Sequence, residues 1–192
     1  MTTVDGTEYI DFFAGAGGLN YGHNDPDMQT AMIDYIKSDG VIHGLDMATE
    51  AKEELLKSFV KYILEPRGMV DYKLQFVGPT GTNAVEAALK IARNNTKRSE
   101  VIALKNGFHG VSLGSLAATA NPYFRDAAGV PLQHINFVTN DDVSKSVEDS
   151  IRDLTSDIEA SIAENGLPAV VIAEETQGEG GVNTMRPEWL QE

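Results

Sequence analysis

Short apolar runs alternate with helix-like segments along most of the chain, and this alternation constrains the fold more than any other feature. The runs lie at residues 72–77, 101–104, 134–138 and 169–173. A helix is predicted over about residues 83–98, where Glu86 and Lys90 are spaced to pair on one helix face. Strands that alternate with helices build mostly parallel sheets covered by those helices. The sequence therefore predicts an α/β fold.

The longest predicted helix has one apolar face. Its apolar residues recur every three or four positions, as they do when one side of a helix packs on a core. They are Val147, Ile151, Leu154, Ile158 and Ile162. Gly166 is expected to end this helix. Two more helices are predicted, one over about residues 49–64 and one from Pro26 to near residue 40 with Asp25 as its N-cap.

Charge and composition exclude several kinds of partner. The 192 residues include 15 basic and 29 acidic side chains, a net charge of −14, which repels phosphate backbones and anionic lipids. We therefore expect neither nucleic acid nor a membrane as a partner. The sequence has no apolar run long enough for a membrane span and no secretory leader, so the cytoplasm is the expected location. Without cysteine, and with four scattered histidines, no metal site is predicted.

The segment after the first run is a candidate phosphate cradle. Ligands of parallel sheets gather at the carboxyl ends of the strands. Gly78-Pro79-Thr80-Gly81-Thr82 lies there and leads into a helix, whose first N–H groups and dipole attract an anion. A plain N-cap turn, with Thr82 or Asn83 as the cap, explains the same residues.

The segments after two later runs carry an aromatic ring and carboxylates. Phe108 is flanked by Gly107 and His109, so its ring could lie on a planar ligand while His109 donates a hydrogen bond beside it. The alternative is a loop with Phe108 packed inward and His109 in solvent. After the last run, Glu174, Glu175 and Glu179 form either a polar wall or an exposed acidic loop. Together the three segments suggest a site for a phosphorylated aromatic cofactor.

Four segments in the same order resemble the class III aminotransferases. They read DFFAGAGGLNYGHNDP, GPTGTNAVEAALKIAR, NGFHG and EETQGEGG. Members of this family use pyridoxal 5′-phosphate on a type I fold. The resemblance implies a partial type I fold, in which residues 1–46 belong to the small domain and residues 47–192 form the first part of the large cofactor-binding domain.

The resemblance also implies roles for individual residues. Five would bind the cofactor: Gly81 and Thr82 at its phosphate, Phe108 stacked on its ring, His109 beside the ring and Glu174 close by. Three would line the substrate pocket: Asn20, Tyr21 and Glu179, the last at its gate. No catalytic residue is assigned, because no lysine follows Lys145 and no aspartate follows Asp157. The family's Schiff-base lysine and the aspartate that pairs with the pyridinium nitrogen are expected beyond this segment. The chain is thus expected to be an internal fragment and inactive alone.

A narrower resemblance concerns the substrate. GPTGTNAVEAALK, together with HGLDMATEAKEELL before it, is similar to family members that move an amino group from L-glutamate to L-aspartate 4-semialdehyde, the first step of ectoine synthesis. This implies amino-acid and oxo-acid substrates and a homodimer or larger homo-oligomer. The alternatives are another class III transaminase, a semialdehyde aminomutase, or a non-catalytic module that binds pyridoxal phosphate or a nucleotide phosphate.

Overall fold

The computed structural model covers residues 1–192, and the chain divides into two compact units, Met1–Leu74 and Gln75–Glu192. The first unit therefore extends beyond residue 46, where the predicted small-domain segment ends. The assignment of the two segments to a small and a large domain stays a prediction.

The first unit contains two helices. Helix α1 (Pro26–Lys37) begins as predicted, because the Asp25 carboxylate accepts hydrogen bonds from the first-turn N–H groups. Helix α2 (Glu50–Phe59) follows Thr49, whose hydroxyl caps it. The helix predicted over residues 49–64 is α-helical only as far as Phe59. Val60–Leu64 form a π-helical turn and Glu65–Arg67 a 3-10 turn, since Pro66 has no N–H to continue the ladder.

The second unit contains a parallel sheet of three strands. They are β1 (Val101–Leu104), β2 (Ile135–Val138) and β3 (Val170–Ile172), in the order β2-β1-β3. Both neighbours run parallel to β1, with Val101 beside Ile135 on one side and beside Val170 on the other. Three of the four predicted strands and their parallel arrangement are therefore confirmed.

The prediction of a strand over residues 72–77 is wrong. These residues are extended but belong to neither sheet. An apolar alternating pattern becomes a strand only where a neighbour pairs with its N–H and C=O groups. Residues 72–77 join neither sheet, so the cradle segment follows an extended stretch instead of a sheet strand.

Helices cover the sheet and connect its strands. The two long ones are α3 (Gly81–Thr96) and α6 (Val147–Asn165), both close to their predicted ranges. The sequence patterns missed three short helices: α4 (Leu113–Ala118), α5 (Pro122–Arg125) and α7 (Pro187–Gln191). They also missed an antiparallel pair, β4 (Thr176–Gln177) with β5 (Asn183–Thr184). Elements of two to six residues are too short for periodicity to reveal.

The core of the second unit lies between the sheet and two helices. It is formed by Ile102, Leu104, Val138, Met185 and Trp189. The predicted apolar face of α6 packs against it through Val147, Ile151, Leu154 and Ile158. The first unit, by contrast, buries only one hydrophobic side chain, that of Leu64. None of the helices combines the length and the apolar character that crossing a membrane requires.

Candidate functional site

The first turn of α3 has two free N–H donors. Thr80 is the N-cap, and its hydroxyl accepts from the Asn83 N–H at 3.3 Å. The cap is thus Thr80 and neither of the two residues that the sequence suggested. The first N–H groups of a helix have no partner within the helix. Those of Gly81 and Thr82 remain available to an anion, in a place that the helix dipole makes positive.

The Thr82 hydroxyl joins α3 to the start of α4. Thr82 Oγ1 lies 2.7 Å from Ser112 Oγ, contacts Ser115 Oγ, and accepts from the Ser112 N–H at 3.3 Å. Gly110 packs so closely here that a Cβ on it would overlap Thr82 Oγ1. The cradle and the loop that carries Phe108 are therefore held together by direct contacts.

The loop with the candidate aromatic platform is fixed by backbone and carboxylate contacts. The Gly107 N–H donates to the Leu104 carbonyl at the end of β1. The Phe108 N–H donates to Glu174 Oε2 at 2.8 Å, so the half-buried Glu174 holds this loop against the end of β3. The Phe108 ring packs edge-on against Phe124, with 5.3 Å between the ring centroids. Glu174 thus contacts the backbone of the residue that carries the ring.

His109 is buried, contrary to the alternative in which it faces solvent. The residue is only 8% exposed, and its Nε2 atom is buried without a hydrogen-bond partner in the chain. Burial lowers the pKa of His109, and the negative charge of Glu174 only partly opposes this shift. The imidazole is therefore neutral at pH 7, and its ring can offer a hydrogen bond to a bound group.

The backbone of His109 is held by a buried threonine. The hydroxyl of Thr119 accepts from the His109 N–H and donates to the Gly110 carbonyl, both at 2.9 Å. Thr119 is completely buried, so no water can replace these bonds. The residue thus fixes the turn that carries His109.

The acidic segment is anchored by Gln177. Its fully buried amide donates to the Lys105 carbonyl at 2.8 Å and accepts from Asn140 and Asn183. Two residues later, Glu179 is exposed and lines a cavity of 200 Å³ together with Phe108 and Phe124. The polar segment and the aromatic platform therefore share one cavity. Glu175, which the sequence grouped with them, is exposed and does not line it.

The second unit thus brings together six of the eight predicted site residues. They are Gly81, Thr82, Phe108, His109, Glu174 and Glu179. Asn20 and Tyr21 are exposed in the first unit, and their place at a substrate entrance stays a prediction. Contacts between distant residues add three that the sequence patterns missed: Ser112, Thr119 and Gln177. In the sequence, only the run of small and hydroxyl residues at 112–119 could have indicated some of these contact residues.

Removing the Thr119 hydroxyl should destabilise the second unit. In a Thr119→Val protein the buried His109 N–H loses its acceptor, which should lower the free energy of unfolding by about 2 kcal/mol. Urea denaturation measures this change. Thr119→Ser, which keeps the hydroxyl, is the matched control and should lose less. If Thr119→Val were as stable as the unchanged protein, the hydrogen bonds of this hydroxyl would contribute nothing to stability.

Comparisons with known proteins show the family of this chain. The sequence pattern of the family "Aminotransferase class-III" matches residues 1–192. A diaminobutyrate–2-oxoglutarate transaminase of Oceanobacillus iheyensis is 53% identical over 186 residues, which cover 97% of this chain and 43% of that protein. One of the same name from Halalkalibacterium halodurans is 49% identical over 97% of this chain and 43% of that protein.

Among solved structures, an amine transaminase of an uncultivated Pseudomonas species, in its PLP-bound form, matches with a TM-score of 0.82 at 23% identity. The match covers 99% of this chain and 45% of that one, and it confirms the predicted partial type I fold. The chain spans less than half the length of the curated relatives that it matches. On the match over all 192 residues and these identities, the chain belongs to the class III aminotransferases.

Proposed function

We propose that this protein acts as a pyridoxal 5′-phosphate-dependent aminotransferase. It would move an amino group from L-glutamate to L-aspartate 4-semialdehyde and so form L-2,4-diaminobutyrate and 2-oxoglutarate. One observation carries the proposal. Contacts between Thr82 and Ser112 directly link the start of α3, with its free N–H groups, to the loop of Phe108. A phosphate cradle tied to an aromatic ring suits a phosphorylated aromatic cofactor.

The residues of the second unit fit this cofactor. The N–H groups of Gly81 and Thr82 would hold its phosphate, and the Phe108 ring would lie on its pyridine ring. The buried His109 has an unpartnered Nε2, which a polar group at the ring edge could satisfy. When bound, the cofactor supplies the electron sink for transfer of the amino group. Glu174 serves it indirectly, since it holds the Phe108 N–H and keeps the loop in place.

The substrate assignment rests on two further observations. Both curated relatives reported above are named diaminobutyrate–2-oxoglutarate transaminase. The exposed carboxylate of Glu179 lines the cavity beside Phe108, where a substrate would meet the cofactor ring. Asn20 and Tyr21 would line the entrance. The proposal includes a cytoplasmic homo-oligomer that serves ectoine synthesis.

Cofactor binding can be tested on the purified protein. We expect Phe108→Ala to bind pyridoxal 5′-phosphate about tenfold more weakly in calorimetric titration, because the ring loses its stacking surface. Tyr72→Ala, which removes an exposed ring, is the control and should bind as the unchanged protein does. ATP should not displace the cofactor. Displacement by ATP would instead indicate a nucleotide-binding module.

The reaction is tested with the product of the complete reading frame. Incubation with pyridoxal 5′-phosphate, L-glutamate and L-aspartate 4-semialdehyde should yield 2-oxoglutarate and 2,4-diaminobutyrate in equal amounts. The reverse reaction should require 2-oxoglutarate, which distinguishes a transaminase from an aminomutase. If the enzyme turned over other amino acceptors but did not turn over this semialdehyde, the substrate assignment would be contradicted.

A further inference from the structure

The carboxylate of Glu86 does not pair with Lys90, as the helix spacing suggested, but reaches across to α4. Its Oε1 atom accepts three hydrogen bonds: from Ser112 Oγ at 2.7 Å, from the Gly114 N–H at 2.8 Å and from the Ser115 N–H at 3.0 Å. Glu86 thus connects the second turn of α3 to the start of the neighbouring helix. No residue role described above uses this connection.

The environment keeps Glu86 ionised. Burial acts to raise the pKa of Glu86, but the Ser112 hydroxyl and the N–H groups of Ser115 and Gly114 together lower it below its ordinary value. An ionised carboxylate can only accept hydrogen bonds. The hydroxyl of Ser112 must therefore donate its single proton to Glu86.

This requirement fixes the direction of the neighbouring hydroxyl groups. Because the Ser112 proton is committed, Ser112 Oγ can only accept from its other partners. The hydroxyl proton of Thr82 then points to Ser112 Oγ or to Ser115 Oγ. Both atoms belong to the cluster that Glu86, Thr82, Ser112 and Ser115 form. The side chain of Thr82 is thereby held on the α4 side, and its backbone N–H remains one of the two free donors of the first turn.

Two glycines show that this cluster is closely packed. A Cβ on Gly114 would overlap the Glu86 carboxylate, and one on Gly110 would overlap Thr82 Oγ1 and lie 2.7 Å from Ser115 Oγ. The carboxylate and the hydroxyl groups therefore have little room to adopt another arrangement. Such packing is what a group needs when it fixes the geometry of a site from outside it.

We propose that Glu86 is a positioning residue for the cofactor phosphate. Glu86 acts through Ser112 to hold Thr82 in place, and this directs the N–H groups of Gly81 and Thr82 at the phosphate. The inference rests on the proposed function, since it concerns the same cradle. It also assigns the phosphate to backbone donors and leaves the Thr82 hydroxyl a structural part of the cluster. Glu86 itself does not touch the phosphate.

The test compares the affinities of the purified protein for pyridoxal 5′-phosphate and for pyridoxal, which lacks the phosphate, by calorimetry at pH 7. We expect Glu86→Gln to weaken binding of pyridoxal 5′-phosphate about tenfold and to leave pyridoxal binding unchanged. Ser112→Ala should act in the same direction, and it decides the matter if Glu86→Gln does not fold. Glu159→Gln removes the same charge from an exposed position on α6 and should change neither affinity.

Three results would overturn the inference. If both variants keep the preference of the unchanged protein for the phosphorylated form, Glu86 does not position the cradle. If both ligands are weakened equally, its role is only structural. If the unchanged protein itself shows no preference, the cradle does not bind phosphate, and the proposed function fails together with the inference. The first two results leave the proposed function intact.

Discussion

Replacing Asp141 by asparagine should lower the free energy of unfolding of the second unit by about 2–3 kcal/mol. The Asp141 carboxylate is 1% exposed and accepts from three donors of Arg186: the backbone N–H at 2.9 Å, Nε at 2.9 Å and Nη2 at 2.5 Å. The hydroxyl of Ser150 donates to it as well, at 3.2 Å. An asparagine keeps the size but has no charge and only one acceptor oxygen, so part of this set is lost.

Urea denaturation measures the loss, and Asp149→Asn is the matched control. Asp149 also pairs with an arginine, Arg152 at 2.7 Å, but both side chains are more than half exposed. Exposed pairs of this kind stabilise a protein little, so the control should lie within about 0.5 kcal/mol of the unchanged protein. Equal effects of the two changes would show that burial gives the Asp141 pair no special weight.

The same pair predicts how stability depends on pH. Hydrogen bonds from Arg186 outweigh the effect of burial and lower the pKa of Asp141 below its ordinary value of 3.8. A group whose pKa is lower in the folded state stabilises that state above its unfolded pKa. The contribution is therefore complete above about pH 5 and is lost as the pH falls below 3.8 towards the folded pKa. The stability difference between the unchanged protein and Asp141→Asn should shrink over that range.

Much of the fold follows from local patterns. The apolar face of α6 is visible in the sequence because helical periodicity repeats it over five turns, and the run at residues 101–104 predicts β1 because all its side chains are apolar. The stretch at residues 72–77 carries a pattern just as clear and yet forms no strand. A local pattern states that a segment can pair, whereas the presence of a partner depends on the rest of the fold.

The candidate site shows the same division. Phe108, Glu174 and the start of α3 could be located in advance, because ligand sites of parallel sheets lie where strands end and helices begin. The contact of Glu86 with Ser112 could not, since it joins residues 26 positions apart and the spacing of Glu86 to Lys90 favours a different pair. Gln177 is similar, as its partner Lys105 lies 72 positions earlier. Side-chain contacts over such separations follow from tertiary packing.

Replacing Gly180 by alanine should lower the free energy of unfolding by about 2–3 kcal/mol and displace the segment that carries Glu179. A Cβ on Gly180 would overlap the carbonyl oxygen of Asn106 and lie 3.1 Å from its carbonyl carbon. The obstacle is backbone two residues after the end of β1, and it cannot rotate away as the tip of a flexible side chain can. The segment must therefore move, and with it the wall of the cavity that Phe108 and Glu179 share.

Gly178→Ala provides the matched control, because it lies in the same segment and a Cβ there would meet nothing within 4 Å. We expect this variant to be as stable as the unchanged protein and to bind pyridoxal 5′-phosphate equally well. Gly180→Ala should unfold at lower urea concentration and bind the cofactor more weakly, because its backbone contact beside Phe108 is broken. Equal stability and equal binding in the two variants would mean that the segment yields without cost. The approach of Gly180 to Asn106 would then have no part in forming the cavity.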